Sequence, residues 1–384
     1  MSASMTPNLT LNTEALLPAD EAELAAMIAS ARGPLRIRGG GTRPVGRLST
    51  DAQELCTSRI SGITLYEPGA LTLVARAGTP LAEIEAALDA EAQRLPFEPM
   101  DHRGLMGTEG TPSIGGMVAA NASGPRRVQA GACRDSLIGV RFIDGSGAVV
   151  SNGGRVMKNV TGYDLVKLMA GSWGTLGVLS EVSFKLLPRP ETEATLVLEG
   201  LDLAGAVAAM AAALGSPFEV SGAAHLPDGR TLLRLEGFAA SVAYRGKALA
   251  ARLAAHGEAA LLDAGESAAL WRQVRDVAPF HGRTGDVWRI ATRPGEAPAL
   301  AGRAGGTALL DWGGGLLWLL LPPGQDLRAR LGNFTGHATL IRASAETRAS
   351  LPAFHPEPGP VAALSAGLRR RFDPRGILNP GLMS

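Results

Sequence analysis

Cysteine is nearly absent: Cys56 and Cys133 are the only two in 384 residues, and they form no C-x-x-C pair. This excludes an iron–sulfur or zinc framework carried by the chain itself and leaves no disulfide scaffold to expect. A reducing compartment is the simpler expectation. Histidine is scarce too. His102, His225, His256, His281, His337 and His355 show no H-x-H, H-x-x-x-H or H-x-x-E spacing, so no metal site is expected. Neither sign of charge dominates, with 37 Lys plus Arg against 36 Asp plus Glu, so no global field points to nucleic acid. Long apolar runs are missing. Leu203 to Phe218 is uncharged but mostly Ala and only 16 residues long, too short and too weakly apolar for a membrane span. The opening M-S-A-S-M-T-P-N-L-T-L-N-T has neither the basic nor the apolar stretch of a secretory signal, so a soluble protein is expected.

Glycine, by contrast, is abundant and unevenly placed. Between Gly104 and Gly177, 16 of 74 residues are glycine, against 49 of 384 overall, so the enrichment is local. These glycines alternate with Thr, Ser and Asn, which suits either a set of tight turns or a backbone that approaches a ligand closely. A second cluster, Gly39-Gly40-Gly41-Thr42, follows the alternating Leu35–Arg38. It is not a Rossmann turn, because Arg43-Pro44-Val45-Gly46 starts no helix and the G-x-G-x-x-G spacing fails at Pro44. What remains is a strand feeding consecutive free N–H groups, a nest suited to pyrophosphate.

At this length and with 46% hydrophobic residues, about two globular α+β domains are expected. Asp20 and Glu23 read as a capping box for a helix to about Ala31. Thr79 as N-cap and Pro80 at the first helical position start another, with Leu81, Ile84 and Leu88 aligned. Leu71 to Ala77 reads as a strand, Leu137–Ser151 as a hairpin and Asp164–Ala170 as a short helix. Val182, Phe184 and Leu186 mark a half-buried strand ended by Pro188-Arg189-Pro190, the expected domain boundary. Beyond it come Ala-rich helices, a hairpin bent at Gly313–Gly315, and a helix from about Val361 to Phe372. Trp271, Trp288, Trp312 and Trp318 are expected in core or interface.

Five motifs in order carry a resemblance: R-G-G-G-T (38–42), T-P-S-I-G-G-M-V-A-A-N-A-S-G (111–124), K-N-V-T-G-Y-D-L-V-K-L (158–168), G-T-L-G-V-L-S-E-V (174–182) and F-D-P-R-G-I-L-N-P-G (372–381). Together they resemble the vanillyl-alcohol-oxidase/PCMH type of FAD-binding domain found in flavin-dependent 2-hydroxy-acid dehydrogenases. Within it they are most similar to the small FAD-binding subunits of bacterial glycolate oxidases. Such subunits work beside a larger flavoprotein subunit and an iron–sulfur subunit, in the cytoplasm or at the inner face of the membrane. The resemblance implies a PCMH-type FAD-binding domain of two α+β subdomains over residues 1–189. A C-terminal α+β cap would span 190–384, with 361–384 packing back on the first domain.

The resemblance further implies that Gly39, Gly40, Gly41 and Thr42 hold the FAD pyrophosphate. Thr111, Ser113, Gly115, Gly116, Asn121, Ser123 and Gly124 would line the flavin and ribityl chain, with Gly177 and Val178 adding backbone groups. Flavinylated relatives often carry a His where Thr42 stands, so the FAD is expected to be non-covalent. Cys133 is expected to be a buried structural cysteine, not a tether. The His-rich motif of the catalytic dehydrogenases is missing. Its nearest counterpart, Asp311-Trp312-Gly313-Gly314-Gly315, has no imidazole. Oxidising a 2-hydroxy acid needs a base and a carboxylate clamp. His281, His102 and Tyr163 are candidates for the base, and Arg283, Arg289 and Arg293 for the clamp. Lys158 and Asp164 are expected to pair across a helix start. The catalytic residues stay open, and a stand-alone dehydrogenase or a flavin-free scaffold are the alternatives.

Overall fold

The computed structural model describes residues 14–47, 51–154 and 162–383. Asp20 turns the chain into its first helix, Glu21–Ser30, by accepting the Glu23 amide at 2.9 Å. The box closes one residue further out than expected, since the Glu23 carboxylate takes the Ala19 amide at 2.8 Å. Leu24 and Ile28 are fully buried on the inner face of this helix. Two short strands follow, β1 (Leu35–Arg38) and β2 (Gln53–Cys56), paired in parallel.

Next, β3 (Ile63–Glu67) and β4 (Thr72–Arg76) open a five-stranded antiparallel sheet. After the two-residue β5 (Gln93–Arg94) it is completed by β6 (Leu137–Ile143), β7 (Val149–Gly153) and β8 (Val178–Lys185), in the order β3-β4-β8-β6-β7. β9 (Leu187–Pro188) returns to pair with β5. The half-buried reading of the Val182–Leu186 stretch is corrected here. β8 is the central strand and six of its eight residues are buried. The helices Leu81–Ala90 and Ile114–Ala119 cover one face, packing on Leu179, Val182 and Phe184. The first helix covers the other, where Ser180 Oγ donates to Glu21 at 2.6 Å.

A second correction concerns Thr79. Its hydroxyl is fully buried, donates to Arg76 O at 2.6 Å and accepts from Gly62 N, so it closes a turn and does not cap the helix. The first helical amide, of Leu81, goes instead to Pro112 O at 2.8 Å. The helix start is thereby tied to the glycine-rich segment.

From residue 192 the chain builds an eight-stranded antiparallel sheet. Its strands are β10 (Thr192–Leu198), β11 (Gly222–His225), β12 (Thr231–Gly237), β13 (Ala259–Leu262), β14 (Asp286–Thr292), β15 (Thr307–Asp311), β16 (Leu316–Leu321) and β17 (Gly336–Arg342). They lie in the order β13-β10-β12-β11-β15-β16-β14-β17. One face packs on the helices Leu203–Leu214, Ala239–Arg252 and Ala297–Ala304, around Trp288. The other face, with Val287, Trp318 and Ile341, meets Val45, Met100 and Leu105 of the N-terminal half, and Trp271 is buried in the same cluster. Trp312 is only partly buried, and its indole N–H donates to Gly124 O at 3.0 Å across that junction.

The junction also holds a buried ion network. Arg234, 1% exposed, donates to both oxygens of Glu98 at 2.8 and 2.9 Å. Arg126 grips Glu236 in the same two-pronged way, at 3.0 and 2.8 Å, and Arg94 adds a bond of 2.6 Å to Glu236. Burial alone raises the Glu98 carboxyl, but the Arg234 and Arg126 charges outweigh it and hold it at about 2. After the helix Gly359–Phe372 the chain returns to β1, where Leu378 pairs with Leu35.

Candidate functional site

A cleft of about 350 Å³ opens where β1, the glycine-rich segment, the start of β8 and the C-terminal return converge. Gly39, Gly40, Gly41 and Thr42 line it, opposite Ser113, Gly115, Gly116, Gly177 and Val178. Two glycines are there to let backbones cross. A Cβ on Gly40 would lie 1.5 Å from Thr111 O, and one on Gly110 would lie 1.9 Å from Gly40 O. Any side chain at either position would force the two segments apart. Gly41 has φ of +71°, which turns the loop into the cleft. The resulting loop leaves the amides of Gly39, Gly40, Gly41, Thr42 and Arg43 without an acceptor among the described residues. Five consecutive free N–H donors make an anion nest.

Charge agrees with that geometry. Three guanidinium groups, of Arg36, Arg38 and Arg43, line the cleft against one carboxylate. That carboxylate, Glu54, is bound to Arg36 at 2.6 Å and Arg38 at 2.7 Å. Two positive charges are left, which matches a diphosphate dianion. Arg43 has no carboxylate partner among the described residues. It donates to Gly116 O at 3.0 Å and contacts Met117 Sδ and His102 Nδ1, while its Nε is buried with no partner. Burial lowers its pKa to about 10, so it stays charged at neutral pH.

Four of the thirteen residues expected at a cofactor lie outside this cleft. Thr111 presents its carbonyl to Gly40. Asn121 accepts the Arg134 amide at 3.1 Å and Ser123 Oγ accepts the Cys133 amide at 3.0 Å, so both fix the chain that follows. Gly124 donates to Phe97 O and would meet Glu98 O at 2.3 Å if it carried a Cβ. Residues missed by the sequence reading also shape the cleft: Arg43, Trp173, Asn379 and Leu382. Asn379 accepts Ile37 N–H at 2.7 Å, donates to Trp173 O at 2.8 Å, and gives its own amide to Leu35 O at 2.9 Å. The N-P-G of the terminal motif was the available signal, but nothing local says that its Asn reaches β1.

Two of the three base candidates, His281 and His102, are already engaged. His281 Nε2 lies 2.7 Å from Asp276 O, and its ring fills the space where a Cβ on Gly104 would stand. His102 is buried; burial and the neighbouring Arg43 charge keep its imidazole neutral. Its Nδ1 lies 3.1 Å from the Arg43 guanidinium and 3.3 Å from Met100 O. Tyr163 is 88% exposed and does not line the cleft. Asp164 caps the helix Leu165–Met169 and pairs with Lys167 at 3.8 Å; Lys158 lies outside the described residues. Arg283 and Arg293 are exposed. Arg289 is not. It lies 5.1 Å from the Trp312 ring, whose indole also carries Arg127 at 4.4 Å, and neither cation has a carboxylate partner among the described residues. Burial and Arg127 lower the Arg289 pKa to about 10. Beside it, burial and the Arg289 charge hold His337 at about 4. Cys133 is buried and burial pushes its thiol far up, leaving it unreactive. Among the described residues no cluster of His, Cys, Asp and Glu has metal-binding geometry.

Residues 14–153 match the model of the FAD binding domain family. Over 356 residues the chain is 38% identical to glycolate oxidase subunit GlcE of Escherichia coli (strain K12), covering 92% of this chain and 93% of that one. The chain belongs to the GlcE family of FAD-binding glycolate oxidase subunits. It is an FAD-linked oxidoreductase-family protein. Glycolate oxidase subunit GlcD of Bacillus subtilis (strain 168) is 30% identical over 177 residues, 45% of this chain and 36% of its own length. In three dimensions, p-cresol methylhydroxylase with substrate bound superposes with a TM-score of 0.69 at 13% identity, covering 96% of this chain and 88% of that one. The fold is therefore the α+β PCMH-type FAD-binding fold. The nest, the crossing glycines and the surplus positive charge fit FAD, which needs donors for a dianionic diphosphate beside an apolar wall.

Proposed function

We propose that this chain is the non-covalent FAD-carrying subunit of a multisubunit oxidase acting on glycolate or a similar 2-hydroxy acid. The run of five acceptorless amides from Gly39 to Arg43, in a cleft with two surplus positive charges, carries the reading. These amides and Arg43 hold the diphosphate. Ser113, Gly115, Gly116, Gly177 and Val178 border the rest of the cofactor, while Thr111, Asn121, Ser123 and Gly124 set the backbone that shapes its walls. Residues 1–189 form the FAD domain and 190–384 the cap. FAD supplies the two-electron acceptor for a carbon–hydrogen bond. Thr42 in place of an imidazole, and a buried, raised Cys133 thiol, support a cofactor without a covalent tether.

The main catalytic site belongs to a larger flavoprotein partner in this reading. Of the three candidate bases, His281 and His102 are spent on internal contacts and Tyr163 is exposed. Two lone buried cysteines hold no cluster, so an iron–sulfur partner takes the electrons onward. Among the described residues no helix is long and apolar enough to cross a membrane. We place the complex in the cytoplasm or at the inner membrane face. A second reading, turnover by the chain alone, is favoured by Arg289 and Arg127, which flank Trp312 and could clamp a carboxylate.

An absorbance spectrum of the purified chain, before and after anaerobic glycolate, separates these. We expect a flavin spectrum that acid releases into solution and that glycolate leaves unchanged. Prompt bleaching overturns the dependent-subunit reading in favour of the second. A protein that stays colourless after incubation with FAD overturns both.

A further inference from the structure

Among the described residues that line the cofactor cleft, Trp173 alone is aromatic. Its backbone is held in a conformation that a bulky side chain disfavours. Trp173 and Gly174 form the centre of a tight turn, closed by Thr175 N–H donating to Ser172 O at 3.0 Å. Both have positive φ, +53° and +72°. Glycine or asparagine ordinarily fills such positions, and a large residue there is strained. The surroundings impose the strain. Trp173 N–H donates to Ala119 O at 2.8 Å, and its carbonyl accepts from Asn379 Nδ2 at 2.8 Å. The indole is only partly buried and meets the Phe354 ring edge to face, with 5.4 Å between centroids. A strained residue fixed on both sides at the wall of a ligand cleft marks a functional side chain.

We propose that the Trp173 indole is the platform on which the isoalloxazine ring of FAD stacks. This deepens the FAD-carrying reading above and rests on it. The distance suits such a role. The helix Ile114–Ala119 begins after Ser113, whose side chain stands beside Gly39 of the nest, and ends at Ala119, which holds Trp173. Its six residues rise about 9 Å, which sets the indole at the scale of a five-carbon ribityl chain from the diphosphate. Position then chooses the isoalloxazine over the adenine. Trp173 packs in the apolar cluster at the junction of the two halves, with Val45, Met100 and Phe354. A substrate or partner has to reach the redox ring from that junction, whereas the adenine takes no part in electron transfer. A flat ring gains from offset stacking on an indole, and no other aromatic side chain lining the cleft competes for it.

The test is the flavin fluorescence of the FAD-loaded chain, wild type against W173F and W173L. An indole in contact with an excited isoalloxazine quenches it by giving up an electron that returns at once, which phenyl and aliphatic side chains do not do. We expect the wild type to be dark and W173F to be severalfold brighter per bound flavin. W173F should keep near wild-type affinity, since phenylalanine retains a stacking face. W173L should be equally bright and bind FAD at least about tenfold more weakly, the loss expected when a base loses its aromatic platform. A merely structural role would weaken binding without brightening the flavin that stays bound. Equal darkness in W173F overturns the assignment, and weaker binding with unchanged darkness in W173L moves the indole to the adenine. If both variants fail to fold, the flavin fluorescence lifetime of the wild type decides. A value as long as that of free flavin mononucleotide overturns the stacking, and a much shorter one supports it. A wild-type chain that takes up no FAD sinks the FAD-carrying reading itself.

Discussion

At the scale of single residues, the cleft depends on atoms that are not there. Gly40 and Gly110 cross so closely that a methyl group at 40 would overlap the Thr111 carbonyl. Replacing Gly40 with Ala must shift one strand of the crossing, at a cost of about 1–3 kcal/mol. We expect G40A to lose most of its FAD and to melt lower, measured by flavin content and thermal denaturation. Gly69, with no atom near its missing Cβ, is the control, and G69A should behave as wild type. Asn121, Ser123 and Gly124 carry local contacts of their own, because Gly, Ser and Asn serve close backbone approach whichever group approaches. Here the neighbours are Phe97, Arg134 and Cys133.

At the scale of elements, local pattern was enough for most of the secondary structure. The Leu203–Leu214 helix lies within the Ala-rich run that ends at Phe218, and Asp164 and Asp20 cap as their types predict. What stayed hidden needed partners far away in sequence. The burial of β8 on both faces follows from its central place, which alternation alone cannot report. The C-terminal return is the clearest case. Asn379 joins β1 to the Trp173 turn across 342 and 206 residues, at a φ of +43° that asparagine tolerates better than most. N379A would leave Ile37 N–H and Trp173 C=O without partners, each worth about 1–3 kcal/mol. We expect FAD affinity to fall at least about tenfold by fluorescence titration with the circular dichroism unchanged. N379G, which relieves the backbone but restores neither bond, should remain weak. Recovery in N379G would show that φ alone matters.

At the scale of the whole molecule, the two sheets are held together by charge as well as apolar packing. Arg234 and Arg126 come from opposite sides of the junction and share Glu98 and Glu236. Such a network is weak evidence of net stability, but removing one member leaves a buried charge exposed to its neighbours. E98Q should therefore cost about 3 kcal/mol in denaturant unfolding. The pH dependence has a definite sign. Glu98 is held near 2 when folded, against 4.5 as its ordinary value, so its contribution is complete above about 4.5 and disappears as pH falls toward 2. We expect the wild type to lose stability over that window by more than E98Q does. Equal losses would remove the network from the acid response.

The return of the chain to β1 also sets an order of events during synthesis. The loop from Gly39 to Arg43 leaves the ribosome early, yet its neighbour Ile37 waits for Asn379, and the cleft lacks a wall until Leu382 arrives. A nascent chain can complete the five-stranded sheet long before it can finish the cleft. The flavin should therefore be captured only once Asn379 and Leu382 have emerged, as a late step that shorter nascent chains cannot take.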